Sequence, residues 1–382
     1  MGRTEPSIGR PPAAFRKDAR SKKAKATINK VIPSLLPGYP GAQKGINSAE
    51  LIPFMNTTVL PEAYGKLLKK HEDKGDAATK GKATDGVEDP HESLEKLKTP
   101  RISIREVDTL TAARDLLDIE TPAGVKTDLG NTRAHVTILN MGSPLNPGGG
   151  FLNGANSQEE SLCMRTTLYP SLKDEWYRLP ELSSIWTPMV LVFRDEDGND
   201  LDKKDRFYVD CITAAMIRGP EFELDEDGVA SYANKKDRDT AQAKMRAVMR
   251  IAMVKKSKRL VLGAWGCGAH GNPVGEIARI WKSVLTPRYD KSKPLKERWE
   301  YIDEIVFAIK DHNMAQAFAE AWELKDKIRE LEQRIQKVNN PKVSDGLKTI
   351  LEGLKKQLPE EDEGSTQDSE WEHVKAEGTG PS

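Results

Sequence analysis

The sequence predicts an α/β layered domain, and three observations carry that reading. Short apolar runs rich in β-branched residues alternate with amphipathic helical stretches over residues 101–320, the pattern of a sheet covered by helices. Two glycine-rich segments each follow such a run, where open α/β sheets bind their ligands. The flanks differ in composition from that stretch. Residues 1–30 carry nine basic residues against Glu5 and Asp18, and residues 359–382 carry eight acidic residues against Lys375. Lys+Arg and Asp+Glu both count 59, so the neutral total conceals two oppositely charged ends.

Taken in order, residues 1–15 are rich in Pro, Gly and Arg and read as disordered. Residues 16–32 read as a helix with Ala24, Ile28, Val31 and Ile32 on one stripe. That helix is either a solvated element packed on the main domain or a basic arm drawn to a polyanionic substrate or nucleic acid. Residues 73–98 are dominated by Lys, Asp, Glu, Gly and Ala and read as an exposed loop within a 41–100 linker. Ile102 and Ile104 alternate with polar residues as in a strand, and Asp108 or Thr109 can cap a helix to Leu117. Strands are expected at 136–140, 188–194, 207–215, 260–264 and 302–309, and helices at 159–172, 240–254 and 274–285. From Met314 a helix with Phe318, Trp322, Ile328, Leu331 and Ile335 at helical spacing runs to Val338. After Asn339-Asn340-Pro341 a second follows, with Leu347, Ile350, Leu351, Leu354 and Leu358 apolar. The two helices form a hairpin docked on the domain or a coiled-coil contact for a protein partner. The acidic tail is expected to be solvated.

Several classes are disfavoured. Cys163, Cys211 and Cys267 are distant and odd in number, with no Cys-x-x-Cys, so neither a disulfide framework nor a structural zinc site is expected. Met1-Gly2-Arg3-Thr4 leads into Pro and Arg rather than a signal-peptide core, and no run reaches the roughly 18 apolar residues of a membrane span. The expectation is an intracellular protein, nuclear or cytoplasmic, with no membrane partner.

The chemistry gathers in two segments. Gly148-Gly149-Gly150 stands seven residues ahead of Gln158-Glu159-Glu160, directly after the 136–139 run. Bare backbone lets a chain approach a polyanion, and paired carboxylates hold sugar hydroxyls or deliver a proton. Gly263-Ala264-Trp265-Gly266-Cys267-Gly268-Ala269-His270-Gly271 lies between a strand and a helix, where several N–H groups can converge on one anion. It is neither a Walker loop nor a dinucleotide fingerprint.

These motifs, in this order, resemble the signature and phosphate loop of the microbial-type poly(ADP-ribose) glycohydrolases. Leu162-Cys163-Met164-Arg165 and the run Phe207–Ile212 are also similar to that branch. The resemblance implies a macrodomain-like three-layer fold, a mixed sheet between helices, over residues 101–320. Around it stand a basic arm and helix at 1–40, the 41–100 linker, a helical hairpin at 321–358 and the tail at 359–382. It implies Glu160 as the catalytic acid and Glu159 as the holder of ribose hydroxyls, with Gln158 beside them. Gly148, Gly149, Gly150, Phe151, Asn140 and Asn153 are implied around the ribose. Gly266, Cys267, Gly268, Ala269 and His270 are implied on the phosphates and adenosine side. Phe151 reads equally as core, and Asn140, Asn146 and Asn153 compete for the distal ribose. The chain departs from the family at His270 (usually Phe), Ser157 (usually small and apolar) and Ser143 (an Asn in many macrodomains).

Adjacent carboxylates cannot flank a sugar from opposite faces, but both reach one ribose, and their mutual repulsion keeps one protonated near neutral pH. The expected activity is hydrolysis of ribose–ribose bonds in poly(ADP-ribose), releasing ADP-ribose, with no cofactor and no metal. A mono-ADP-ribose hydrolase and a non-catalytic ADP-ribose reader are the competing readings.

Overall fold

The computed structural model describes residues 12–53, 99–225, 229–286, 299–337 and 341–356. The expectations for 1–11, for the 73–98 loop and for the acidic tail fall outside the described residues.

Seven strands form one mixed sheet in the order β1-β6-β7-β5-β10-β11-β2. They are β1 (Glu50–Ile52), β2 (Arg101–Arg105), β5 (Val136–Met141), β6 (Ser184–Val192), β7 (Phe207–Ala214), β10 (Arg259–Leu262) and β11 (Glu304–Ala308). A separate hairpin, β3 (Asp118–Thr121) with β4 (Gly124–Thr127), and two short strands, β8 (Phe222–Leu224) and β9 (Ala230–Tyr232), complete the set. From β7 through β5, β10 and β11 to β2 the strands run parallel, whereas β6 is antiparallel to β7 and to β1. The parallel centre needs crossover helices, and both faces of the sheet are covered.

Strand alternation sorts side chains onto the two faces. Leu139, Leu260, Leu262, Ile305 and Phe307 point into one core, against α6 (Lys235–Val254), α7 (Val274–Leu285) and the start of α8 (His312–Lys337). Val136, Ile138, Val261, Val306 and Ala308 point into the other. There they meet α1 (Ala13–Ala26), α4 (Thr109–Asp115) and α5 (Gln158–Arg165). This is the three-layer arrangement expected from the sequence.

Three expectations need correction. The 41–100 segment is not linker at its start: α3 (Pro40–Asn47) and β1 fold onto the domain, β1 pairing with β6 from Glu50 to Ile52. The helix expected over 159–172 stops at Arg165, because Thr166 is extended (φ −137°, ψ 172°) and bridges to Val192. Strand β6 begins at Ser184 and carries an irregularity between Thr187 and Val190, with Met189 at φ 52°. Pro188 sits there, where a missing N–H does not break the ladder.

Contacts divide the chain into two compact units. The first takes in the described residues up to Glu223 and from Ala230 to Glu323 and contains the whole sheet. The second takes in Leu224–Val229 and the described residues from Leu324 onward. Within the second, Lys355 of α9 (Pro341–Lys356) pairs with Glu332 at 2.7 Å. No helix among the described residues is long and apolar enough to cross a membrane.

Candidate active site

Parallel strands β5, β7 and β10 end side by side, and the two glycine-rich segments leave from β5 and β10. Helix α5 starts beneath the first of them. Its first residue, Gln158, gives its amide to the end of β5: Nε2 donates to the Leu139 carbonyl (2.8 Å), and Oε1 accepts from the Met141 N–H (2.9 Å). The side chain thus pairs with β5 as a short strand would, and it fixes the next two residues against the strand end.

Glu159 and Glu160 are both nearly buried, at 2 % and 7 % exposure. Glu160 takes up three donors. Its Oε1 accepts from Gly150 N–H at 2.8 Å, and its Oε2 from Ser157 N–H at 2.9 Å and from the Ser157 hydroxyl. The reach from the third helical residue back to the N-cap is half of a capping box. Here the reaching carboxylate is the implied catalytic one. Glu159 accepts from Asn140 Nδ2 (3.3 Å) and Ser143 N–H (2.8 Å). Burial pushes its carboxyl up to about 8, and the neighbouring Glu160 pushes the same way, against the Ser143 and Asn140 hydrogen bonds. Of the expected carboxylate pair, Glu159 is therefore a neutral acid at pH 7.

The triple glycine is required by space as well as by conformation. Gly148 and Gly149 have φ of +64° and +56°, a region that side chains disfavour. A β-carbon at Gly148 would stand 2.8 Å from the Tyr169 ring, and one at Gly150 would stand 2.7 Å from the Ala155 β-carbon. Phe151 then opens a short turn (Phe151–Asn153) and is 1 % exposed, its ring 5.4 Å from that of Tyr169. Phe151 packs in the core on the face of the sheet covered by α1, α4 and α5. Asn140 is likewise fully buried, with Nδ2 shared between Glu159 and Thr213 (3.1 Å). It stands behind Glu159. Asn146 and Asn153 are exposed.

The second segment is shaped by a residue that sequence reasoning passed over. Asn272 is 3 % exposed. Its Nδ2 donates to the carbonyls of Ile217 (2.7 Å) and Gly266 (3.0 Å), and its Oδ1 accepts from the Tyr232 hydroxyl (2.7 Å). Gly266, at φ +81°, leaves room for that amide, since a β-carbon there would lie 2.6 Å from Nδ2. Gly268 has nothing within 4 Å of its missing β-carbon, and Gly268 and Ala269 are exposed. Cys267 is partly buried, and burial pushes its thiol up to about 12. His270 is partly buried; desolvation lowers its pKa and Arg218 adds to that, so it is neutral at pH 7. The two segments touch at their roots, where the Met141 side chain lies against Gly263.

Among the described residues no group of three or more His, Cys, Asp or Glu side chains could hold a metal ion. A cavity of about 410 Å³ lies away from these loops, lined by Arg101, Arg105, Asp118, Arg259 and Glu304. Its charges are matched internally, Arg101 with Glu304 at 3.0 Å and Arg259 with the Asp118 carbonyl at 2.7 Å.

Two signals in the sequence were available for what was missed. Ser157-x-x-Glu160 is a capping-box spacing, and Asn272 follows the last glycine of its loop directly. Nothing local marks Tyr232 as the partner of Asn272, or Thr213 as that of Asn140.

Comparison with known proteins places this geometry. No curated protein matches the sequence. In fold the chain is similar to the crystal structure of poly(ADP-ribose) glycohydrolase from Thermomonospora curvata, with a TM-score of 0.52 at 24 % identity. That match covers 80 % of this chain and 99 % of the other. The enzyme from Deinococcus radiodurans, in complex with ADP-ribose, aligns at 23 % identity and a TM-score of 0.47, covering 77 % of this chain and 98 % of the other. Residues 66–195 match the family model described as microbial-type PARG, catalytic domain. That stretch holds the triple glycine, Gln158, Glu159 and Glu160, and it is similar to the microbial-type PARG catalytic domain.

Proposed function

We propose that the protein is a glycohydrolase that cleaves the ribose–ribose O-glycosidic bonds of poly(ADP-ribose) and releases ADP-ribose. The observation that carries the proposal is the bond from Gly150 N–H to Glu160 (2.8 Å). It couples a backbone turn suited to a diphosphate-bearing sugar with the one carboxylate of the pair that keeps some exposure. The family match over residues 66–195 supports the same reading.

In the proposed reaction Glu160 enters the step protonated and gives that proton to the ribose oxygen that leaves, as the C–O bond to the anomeric carbon breaks with oxocarbenium character. The ionised Glu160 then takes a proton from water as its oxygen bonds that carbon, which restores the acid. Glu159, neutral at pH 7, donates a hydrogen bond to a ribose hydroxyl and adds no second negative charge. Gln158 acts as a positioning residue, since its amide is committed to β5. The Gly266–His270 loop receives the diphosphate on its N–H groups, with Gly268 giving the closest approach. Each step uses the chain's own groups.

The test is ADP-ribose release from purified poly(ADP-ribose) by the intact protein and by Glu160→Gln. Loss of general acid–base catalysis is worth about 10²–10⁴-fold, so release should collapse in the variant while ADP-ribose binding persists. An intact protein that binds ADP-ribose but releases none from the polymer would sink the assignment in favour of a reader or a mono-ADP-ribose hydrolase.

A further inference from the structure

Helix α1 is built into the wall of the site. Arg20 Nε donates to the Gly154 carbonyl (2.8 Å) and the Ser21 hydroxyl to the Leu152 carbonyl (2.6 Å). Gly154, at φ +74°, is pressed against the Lys17 carbonyl, with no room for a β-carbon. The same turn returns to the catalytic loop: Ala155 N–H bonds the Gly150 carbonyl (3.1 Å), and Gly150 N–H bonds Glu160. At its far end α1 is anchored by Ala24, fully buried, and by Arg194, which donates to Thr27 Oγ1 (2.8 Å) and the Met164 carbonyl (2.7 Å). The helix is thus held firmly three hydrogen bonds from the carboxylate.

Its outer surface has no role in that anchoring. Over residues 12–35 seven basic side chains face one acid, Asp18, which is paired with Lys22 at 2.8 Å. Lys23 reaches the Gly198 carbonyl (2.8 Å). Arg16, Lys17, Lys25 and Lys30 are exposed. Beside Arg16 and Lys17 stands Phe15, 69 % exposed, and on the adjoining turn Leu152 is 37 % exposed. An isolated aromatic ring in water among cations costs hydration without packing, but it is the element on which a purine stacks.

We propose that this face of α1 binds the ADP-ribose units next to the one held at Glu160. The adenine would stack on Phe15, and the diphosphates would lie along Arg16, Lys22 and Lys25, the exposed cations of α1 nearest to it around the helix. The inference rests on the polymer reading of the site. The polymer is favoured over nucleic acid because α1 is clamped to the turn between the glycine loop and the carboxylates, which sets its cations beside the site. The polymer supplies two negative charges and one purine per unit, matching the cation-and-ring surface. Neutralising diphosphates releases counterions, so the contribution grows with chain length and falls with salt.

The experiment measures binding with hydrolysis switched off, in full-length Glu160→Gln with and without Phe15→Ala and Arg16→Glu. Ligands are poly(ADP-ribose) of about 20 units and free ADP-ribose, each at about 0.05 and 0.2 M salt. The expected result is a loss of at least ~10-fold in affinity for the polymer, with a shallower salt dependence, and less than ~2-fold change for ADP-ribose. Both side chains are exposed, and Lys22→Glu with Lys25→Glu provides a second variant, expected to weaken polymer binding in the same direction. Unchanged polymer affinity in both variants overturns the proposal. So does an equal loss for free ADP-ribose, which would put the effect inside the catalytic site. Competition by single-stranded DNA of equal charge as strong as by the polymer would also overturn it, in favour of a nucleic-acid surface. Failure of the intact protein to hydrolyse polymer would count against the enzymatic reading and leave this binding comparison readable.

Discussion

A β-carbon on Gly149 would stand 2.8 Å from Oε1 of Glu160 and 2.9 Å from Oε2 of Glu159. The glycine loop and the carboxylates are therefore one packed object, and the middle glycine is where they are closest. Gly149→Ala would force a left-handed alanine, costing about 1–2 kcal/mol, and push both carboxylates. A displacement of the acid costs more in rate than in stability, since about 1.4 kcal/mol of lost transition-state stabilisation is already tenfold. The expected outcome is a drop of roughly 100-fold or more in ADP-ribose release, with a melting temperature lower by only about 4–8 °C. A rate near that of the unaltered protein would show that the loop yields without moving the acid.

The Ser157 hydroxyl is a donor to Glu160 that an apolar residue at this position would not supply. Ser157→Ala leaves the Ser157 and Gly150 N–H donors in place and removes only the hydroxyl. Turnover is expected to fall by about 3–10-fold, the worth of one ordinary hydrogen bond, with little change in KM. Ser157→Thr keeps the hydroxyl and should restore most of the rate. Steady-state kinetics on poly(ADP-ribose) separates the two variants.

Asn272 closes the second loop on itself, so its loss should be felt in ligand affinity. Asn272→Ala leaves the Tyr232 hydroxyl and the Ile217 carbonyl without this partner, each costing about 1–3 kcal/mol where buried, while the Gly266 carbonyl keeps the main-chain N–H of residue 272 (3.0 Å). ADP-ribose affinity measured by calorimetry should fall by at least ~10-fold. Tyr232→Phe removes one of the three bonds and should cost a few-fold. Equal affinities in all three proteins would mean that the loop holds its shape without the amide.

The sequence made the central sheet legible because its parallel strands are buried on both faces and read as continuous apolar runs, as in Val136–Leu139 and Leu260–Leu262. Edge strand β1 escaped notice: three residues paired only with β6 leave no periodicity to detect. Helix α5 was read too long because Arg165, Thr166 and Tyr169 continue a helical spacing from Leu162, while Thr166 leaves the helix to bridge Val192. At the site, the residue types were visible in the motifs but their partners were not. Gln158 and Asn140 looked like ligand contacts because amides bind sugars. In the fold the Gln158 amide bonds the end of β5 and Asn140 Nδ2 is shared between Glu159 and Thr213, contacts made across 17 or more positions of sequence.

Glu159 links the site to pH. Its carboxyl is raised from 4.5 to about 8 by burial, so between those values the native state holds a proton that the unfolded chain has released. Stability then falls as pH rises through that window and levels off above about 8. Asp210, raised to about 6 by burial, contributes in the same direction only below that value. His270, lowered by burial, contributes in the opposite direction and only below its ordinary value of 6.5. The interval from pH 6.5 to 8 leaves out Asp210 and His270, while His312, raised by its hydrogen bond to Glu106, acts in the same direction there and cancels when two proteins that both carry it are compared. At about 1.4 kcal/mol per pH unit the loss due to Glu159 is on the order of 2 kcal/mol. Glu159→Gln keeps a neutral side chain of the same shape, so denaturant unfolding at pH 6.5 and 8 should differ less in the variant by that amount. The same slope in both proteins would mean that Glu159 is ionised in the folded state at neutral pH, and the hydrogen bond it is proposed to donate to ribose would have to be withdrawn.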